Sequence, residues 1–194
     1  MEERQSIVGP IIRMTVFLMA ICGILYPLAV TGIAQAVAPA KADGSLIYDE
    51  SDKVIGSELV GQSFTGDAYF HGRVSSIEYN GAGSGSNNFA PSNEDLMKRT
   101  QESIDEWKKN NPETQISDVP NDLLTNSGSG LDPHISPNAA YVQIKRISNE
   151  TGIESSKLEE LVKKHSQGRE LGLFGEERVN VLQLNLDLKT LINE

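Results

Sequence analysis

The chain has 194 residues, enough for one medium-sized domain and a short extra element. Its 27 acidic against 17 basic side chains give a net charge of −10, which argues against a nucleic-acid binder, because neutralising phosphates takes clustered Lys and Arg. One cysteine, Cys22, excludes a disulfide within the chain.

Residues 1–10 read as a flank and residues 11–38 as a transmembrane helix. From Met14 to Ala40 the sequence MTVFLMAICGILYPLAVTGIAQAVAPA carries no charge. A bilayer core of about 30 Å needs roughly 20 apolar residues, so this run spans it with some tilt. The apolar part of a cleaved signal is about 7–15 residues, so a retained anchor is the better reading despite the small residues near Ala36 and Ala40. Pro27 removes one backbone donor and is expected to bend the helix. Gly23, Ala29, Gly32 and Ala36 are small enough to let a neighbouring helix approach. Arg4 and Arg13 precede the run and Lys41 alone follows it closely. Counted as basic residues, this favours a cytoplasmic N-terminus and a domain on the outer face of the cell membrane. The flank before Met14 is neutral by count, so the whole negative charge belongs to residues 41–194.

Residues 39–55 read as a linker and residues 56–194 as a mixed α/β (α+β) soluble domain. Phe64, Tyr69 and Phe70 suggest strands or a packed loop, and YNGAGSGSNNFAPSN (79–93) is expected to be irregular. A helix follows, capped by Ser92, with Leu96, Thr100, Ile104 and Trp107 as its buried stripe and Asn110, Asn111 and Pro112 as its stop. Ser136 and Pro137 predict the cap and first turn of a second helix, with Ala140, Ile144 and Ile147 inward and Gly152 at its end. Ser156 and Glu159 suggest a capping box for a third, packed through Leu158, Leu161 and Val162. In VNVLQLNLDL, leucines 182, 184, 186 and 188 alternate with polar residues, and this period of two predicts a half-buried strand.

TNSGSGLDPHISP (125–137) is the stretch with most chemical promise. His134, Asp132 and Ser127 or Ser129 supply the residue types of a hydrolytic triad, but no nucleophile elbow surrounds them. The three histidines are scattered, which argues against a metal bound by this chain. Successive glycines before a helix start suit an anion, yet a Walker lysine is missing. A shaped turn leading into a capped helix is the simpler reading, with nucleotide contact the alternative.

Four long blocks carry a resemblance: GSELVGQSFTGDAYFHGRVSS (56–76), GSNNFAPSN (85–93), DLLTNSGSGLDPHISPNAAYVQIKRI (122–147) and LGLFGEERVNVLQLNLDL (171–188). With the membrane helix, they resemble the C-subunit family of the Kdp potassium-transporting P-type ATPase over the full length. Val74, Asn126 and Glu177 stand where the family pattern has Pro, Ala and Pro. The resemblance implies a non-catalytic accessory subunit. Its implied partners are a potassium-conducting channel-like subunit, an ATP-hydrolysing P-type subunit, a small hydrophobic subunit and membrane lipid. It also implies a catalytic chaperone that raises ATP affinity in the hydrolysing subunit. If ATP is shared with this chain, Ser127, Gly128, Ser129, Gly130 and Gln143 are the candidate contacts. A cap over the outer ion entrance, without nucleotide contact, is the alternative.

Overall fold

The computed structural model of the chain describes residues 7–193; Arg4, used in the charge count above, lies outside the described residues. Helix α1 (Val8–Ala20) passes through one π-helical turn (Ile21–Leu25) into α2 (Tyr26–Val37). Together they make 30 residues, with an 18-residue window of mean hydropathy 2.2, long and apolar enough to cross a membrane. The disturbance expected at Pro27 takes the form of this π turn. A proline ring collides with the carbonyl four residues back, here that of Gly23. The Tyr26 amide reaches five residues back, to the Ile21 carbonyl, and the widened turn makes room for the ring. A short α3 (Pro39–Ala42) follows, and contacts divide the chain into two compact units between Leu46 and Ile47.

Strand β1 (Leu46–Tyr48) begins at this boundary and pairs with β2 (Val54–Ser57) around a turn in which Asp49 accepts the amides of Ser51 and Lys53. Residues 58–93 contain no regular helix or strand. The aromatics expected there sit in a packed loop: Phe70 is wholly buried, and Phe64 and Tyr69 pack against the core. Helix α4 (Glu94–Asn110) has the expected stripe, with Trp107 buried. Its cap is Asn93, whose side chain accepts the Asp95 amide, rather than Ser92. An amide side chain one residue closer to the first turn reaches that donor directly.

After a 3-10 turn (Ile116–Asp118) and α5 (Asn121–Leu124), β3 (His134–Ile135) leads into α6 (Pro137–Tyr141) and α7 (Ile144–Thr151). The Ser136 hydroxyl caps α6 by accepting the Ala139 amide, and Gly152 ends α7 at φ +74°. The predicted single helix is thus two, separated at Val142 and Gln143. Helix α8 (Ser155–His165) buries Leu158, Leu161 and Val162 as expected, but Glu154 holds the cap position and makes no side-chain capping bond. The proposed Ser156–Glu159 box lies inside the helix.

A small antiparallel sheet has the order β3–β5–β4, with β4 at Ser166–Gln167 and β5 at Arg178–Asn180. The predicted terminal strand ends at Asn180, and Val181–Ile192 form helix α9. Asn180 caps it by accepting the Gln183 amide. Val181, Leu184, Asn185 and Leu188 are buried, a helical spacing that coexists in the sequence with the alternating leucines. The core gathers Trp107, Ile144, Ile147, Leu158, Val179 and Leu184 between the helices and the sheet.

Candidate functional site

After a turn in which the Tyr69 amide donates to the Gly66 carbonyl, the chain at Phe70 and His71 has no strand partner; buried side chains supply its hydrogen bonds instead. Asn185, 2 % exposed, accepts the Phe70 amide at 2.8 Å and donates to the Phe70 carbonyl at 2.8 Å. Gln143 repeats the arrangement one residue on, accepting the His71 amide at 2.8 Å and donating to its carbonyl at 3.1 Å. Arg146 donates to the carbonyls of Asp67 and Tyr69, and also to Gln143 and Asn111. Each amide side chain thus imitates a strand neighbour, which satisfies buried backbone groups that would otherwise carry a desolvation penalty. One face of α7 with the residue before it, and one of α9, therefore fix this loop on the core.

The stretch 125–132 is built into the same assembly. The Ser127 hydroxyl accepts the Gly130 amide at 2.8 Å, and the Ser127 amide donates to the Val74 carbonyl at 3.1 Å. Ser129 accepts the Leu131 amide through its hydroxyl, and its carbonyl receives the Gly85 amide at 2.9 Å. Ser75 donates to the Gly130 carbonyl at 2.7 Å and accepts the amides of Ile77 and Tyr79. Gly130 lies at φ +71°, and a Cβ there would stand 2.5 Å from Ile77 Cγ1. Only glycine fits the position on both grounds. Asn126 joins the Gly-Ser-Asn loop to α4: it accepts from Arg99 and donates to the Ser86 hydroxyl, while Arg99 lies over the Phe89 ring.

Electrostatics stiffen this wall. The Arg73–Asp132 ion pair measures 3.0 Å, and the His134 amide donates to Asp132 at 3.0 Å. Burial would raise the Asp132 pKa, but His134 and Arg73 outweigh it and hold the carboxyl at about 2. The His134 ring is 3.7 Å from that carboxylate, too far for a hydrogen bond, so the amide and Arg73 are its firm partners. Burial, with Asp132 adding, pushes the Tyr79 phenol up to about 12, and its hydroxyl donates to the Arg73 carbonyl. Burial and then Arg146 lower the His71 pKa, which favours a neutral ring whose Nε2–H donates to the Gly66 carbonyl at 3.0 Å. An open groove of about 660 Å³ runs past Phe64, His71, Arg73, Tyr79 and Trp107.

The five predicted contacts fall in two places. Ser127 and Gly130 are buried, Gly128 is exposed, and Ser129 lies between them in exposure. Gln143 is 0 % exposed, with both side-chain atoms engaged by His71, Ala139 and Arg146. The amides of Gly128 and Ser129 make no hydrogen bond among the described residues, whereas those of Ser127, Gly130 and Leu131 are engaged. Two amides can hold one oxygen; they do not form a triphosphate cradle. Among the described residues, no group of three or more His, Cys, Asp or Glu side chains is placed to hold a metal. His134 and Asp132 are turn partners, since the Asp132 carboxylate accepts the amide two residues on. Asn185, Arg146, Ser75 and Asn126 are absent from the sequence-based candidates, because their partners lie 27 to 115 residues away.

The segments that meet in this wall, 61–89 and 125–132, fall largely within the long blocks quoted above. A family model described as "K+-transporting ATPase, c chain" matches residues 8–190. The potassium-transporting ATPase KdpC subunits of Bacillus mycoides (strain KBAB4) and Bacillus cereus (strain Q1) are each 60% identical over 192 residues. The alignments cover 99% of this chain and 100% of each relative. The corresponding subunit of Bacillus anthracis (strain CDC 684 / NRRL 3495) is 59% identical over the same length. With its apolar helix, its loop wall and its whole length aligned to these relatives, the chain belongs to the family of the c chain of K+-transporting ATPases.

Proposed function

We propose that the chain is a membrane-anchored, non-catalytic accessory subunit that assembles and stabilises a potassium-transporting ATPase. The partners in this reading are the channel-like, ATP-hydrolysing and small hydrophobic subunits. One observation carries the mechanism: buried Arg146, Gln143 and Asn185 spend their polar atoms on holding loops in shape, and none is left for chemistry. A rigid wall made of loops is what a docking surface requires, because little ordering entropy remains to be lost on binding. In this reading the domain lies on the outer face, over the ion entrance, with the N-terminus in the cytoplasm. Arg4 and Arg13 before the uncharged run and the single Lys41 close after it support that orientation.

The catalytic-chaperone reading, in which this chain raises ATP affinity in the hydrolysing subunit, rests on the unengaged amides of Gly128 and Ser129. It is the second reading, because Gln143 is consumed within the fold.

Two experiments divide these readings. Co-expression of the full chain with the other subunits should give one complex on detergent extraction, with potassium-stimulated ATP hydrolysis lost when this chain is omitted. Full activity without it would end the accessory reading. For orientation, a Cys22→Ser/Ser156→Cys chain should react with an impermeant thiol reagent on intact cells; labelling only after lysis would place the domain inside.

A further inference from the structure

Between β4 and β5 the segment RELGLFGEE (169–177) presents its apolar residues outward: Leu171 is 89% exposed, Leu173 76% and Phe174 64%. Isolated exposed leucines need no explanation, but three large apolar side chains on one turn make a patch that does. The turn is closed on itself. The Glu170 amide donates to the Phe174 carbonyl at 2.8 Å, and the Phe174 amide to the Glu170 carbonyl at 2.9 Å. Gly172 and Leu173 donate back to Arg169 and Glu170. Two ion pairs brace its base, Arg169–Glu176 at 2.9 Å and Arg178–Glu170 at 3.0 Å. Leu171 is held at φ +53°, a left-handed conformation that a leucine adopts only at a cost.

Each feature bears on what covers this tip. A lipid surface asks for no particular turn geometry, whereas a strained, cross-braced turn aims its side chains in fixed directions. Segment 169–178 has two arginines against three glutamates; both arginines are paired, and Glu177 has no ion pair among the described residues. Loops that enter bilayers carry free Lys or Arg for anionic headgroups, which this base lacks. A second copy of the chain is disfavoured by charge, because a two-fold contact would set this net-negative turn against its own like. Since three side chains fall well short of the about 800 Å² per partner of a stand-alone interface, the tip suits one anchor within a wider contact. What remains is a pocket in another protein.

We propose that Leu171, Leu173 and Phe174 form a rigid anchor that seats in an apolar, basic-rimmed pocket on a water-facing part of another subunit of the pump. The proposal rests on the accessory-subunit reading and names one contact within it. Most interface residues matter little, and a few inserted apolar side chains carry most of the affinity.

The test uses the full chain as Cys22→Ser/Leu173→Cys, labelled with a polarity-sensitive fluorophore, in nanodiscs of phosphatidylethanolamine and phosphatidylglycerol. The expected result is water-like emission from the chain alone and a blue shift only when the other subunits are present. In parallel, Leu171→Ser/Phe174→Ser should weaken retention in the detergent-solubilised complex by on the order of tenfold, with unchanged thermal unfolding of the isolated chain. A blue shift in nanodiscs without partners would assign the tip to lipid and overturn the proposal. Normal retention of the serine variant together with water-like emission in the assembled complex would also overturn it. Failure of the unmodified chain to co-purify with any pump subunit would instead overturn the accessory-subunit reading on which the proposal stands.

Discussion

Asn185 and Phe70, 115 residues apart in sequence, exchange two hydrogen bonds of 2.8 Å each, so that a helix side chain takes the place of a missing strand. The pairing fixes Phe70 in the core and, through its neighbour His71, brings in Gln143 and Arg146. The loop wall depends on these three side chains.

Replacing Asn185 with leucine keeps the branched outline, in a bulkier side chain, but leaves the Phe70 amide and carbonyl unpaired in a dry site. The expected loss is about 2–4 kcal/mol, since a buried unsatisfied group costs about 1–3 kcal/mol. Thermal unfolding of the full chain in detergent should register it as a fall of several degrees.

That prediction rests on residues the sequence left unread. A buried polar residue on a helix has no local signature when its partner lies far off, and Asn185 looked like one polar member of an alternating strand. The leucines at 182, 184, 186 and 188 fit a period of two, while Val181, Leu184, Asn185 and Leu188 fit a helix equally well. Asn180 at the cap was the available tie-breaker. By contrast, the membrane segment, the Trp107 stripe, the Ser136–Pro137 helix start and the Gly152 stop were legible, because each depends on near neighbours. The wall was visible only as unusual composition, since its geometry comes from contacts between distant blocks.

The glycines of SGSG are predicted to differ. Gly130→Ala places a methyl against Ile77 and forces a left-handed alanine, at a cost of about 2–4 kcal/mol. At Gly128 a Cβ meets nothing within 4 Å and φ is not positive, so Gly128→Ala should be neutral or stabilise by up to about 1 kcal/mol. Parallel melting curves of the two variants check the contrast. Equal losses would show that the loop is not held as described.

Acid should weaken the domain in two stages. His71 has its folded pKa lowered below the ordinary 6.5, so the unfolded chain takes up the proton first and stability falls as pH drops below about 6.5. Asp132 has its folded pKa held at about 2 against an ordinary 3.8, so its contribution is present above about pH 4 and is lost between about pH 4 and 2. At 1.36 kcal/mol per unit, and with the pair partly solvated, that second step amounts to about 1–2 kcal/mol. Denaturation followed from pH 7 to 2 should show both stages; His71→Gln should flatten the first and Asp132→Asn the second.

We infer that the wall built from segments 61–89 and 125–132 is the surface that partner subunits read. Gly128→Arg tests it most directly, because the position is exposed and open, so a large side chain there should disturb docking without disturbing the fold. The measurement is the yield of this chain in the complex purified through another subunit, with thermal unfolding of the isolated variant as its control. Unfolding should be unchanged and co-purification should drop on the order of tenfold, as expected where bulk enters an interface. Co-purification at the level of the unmodified chain, with the fold intact, would contradict it.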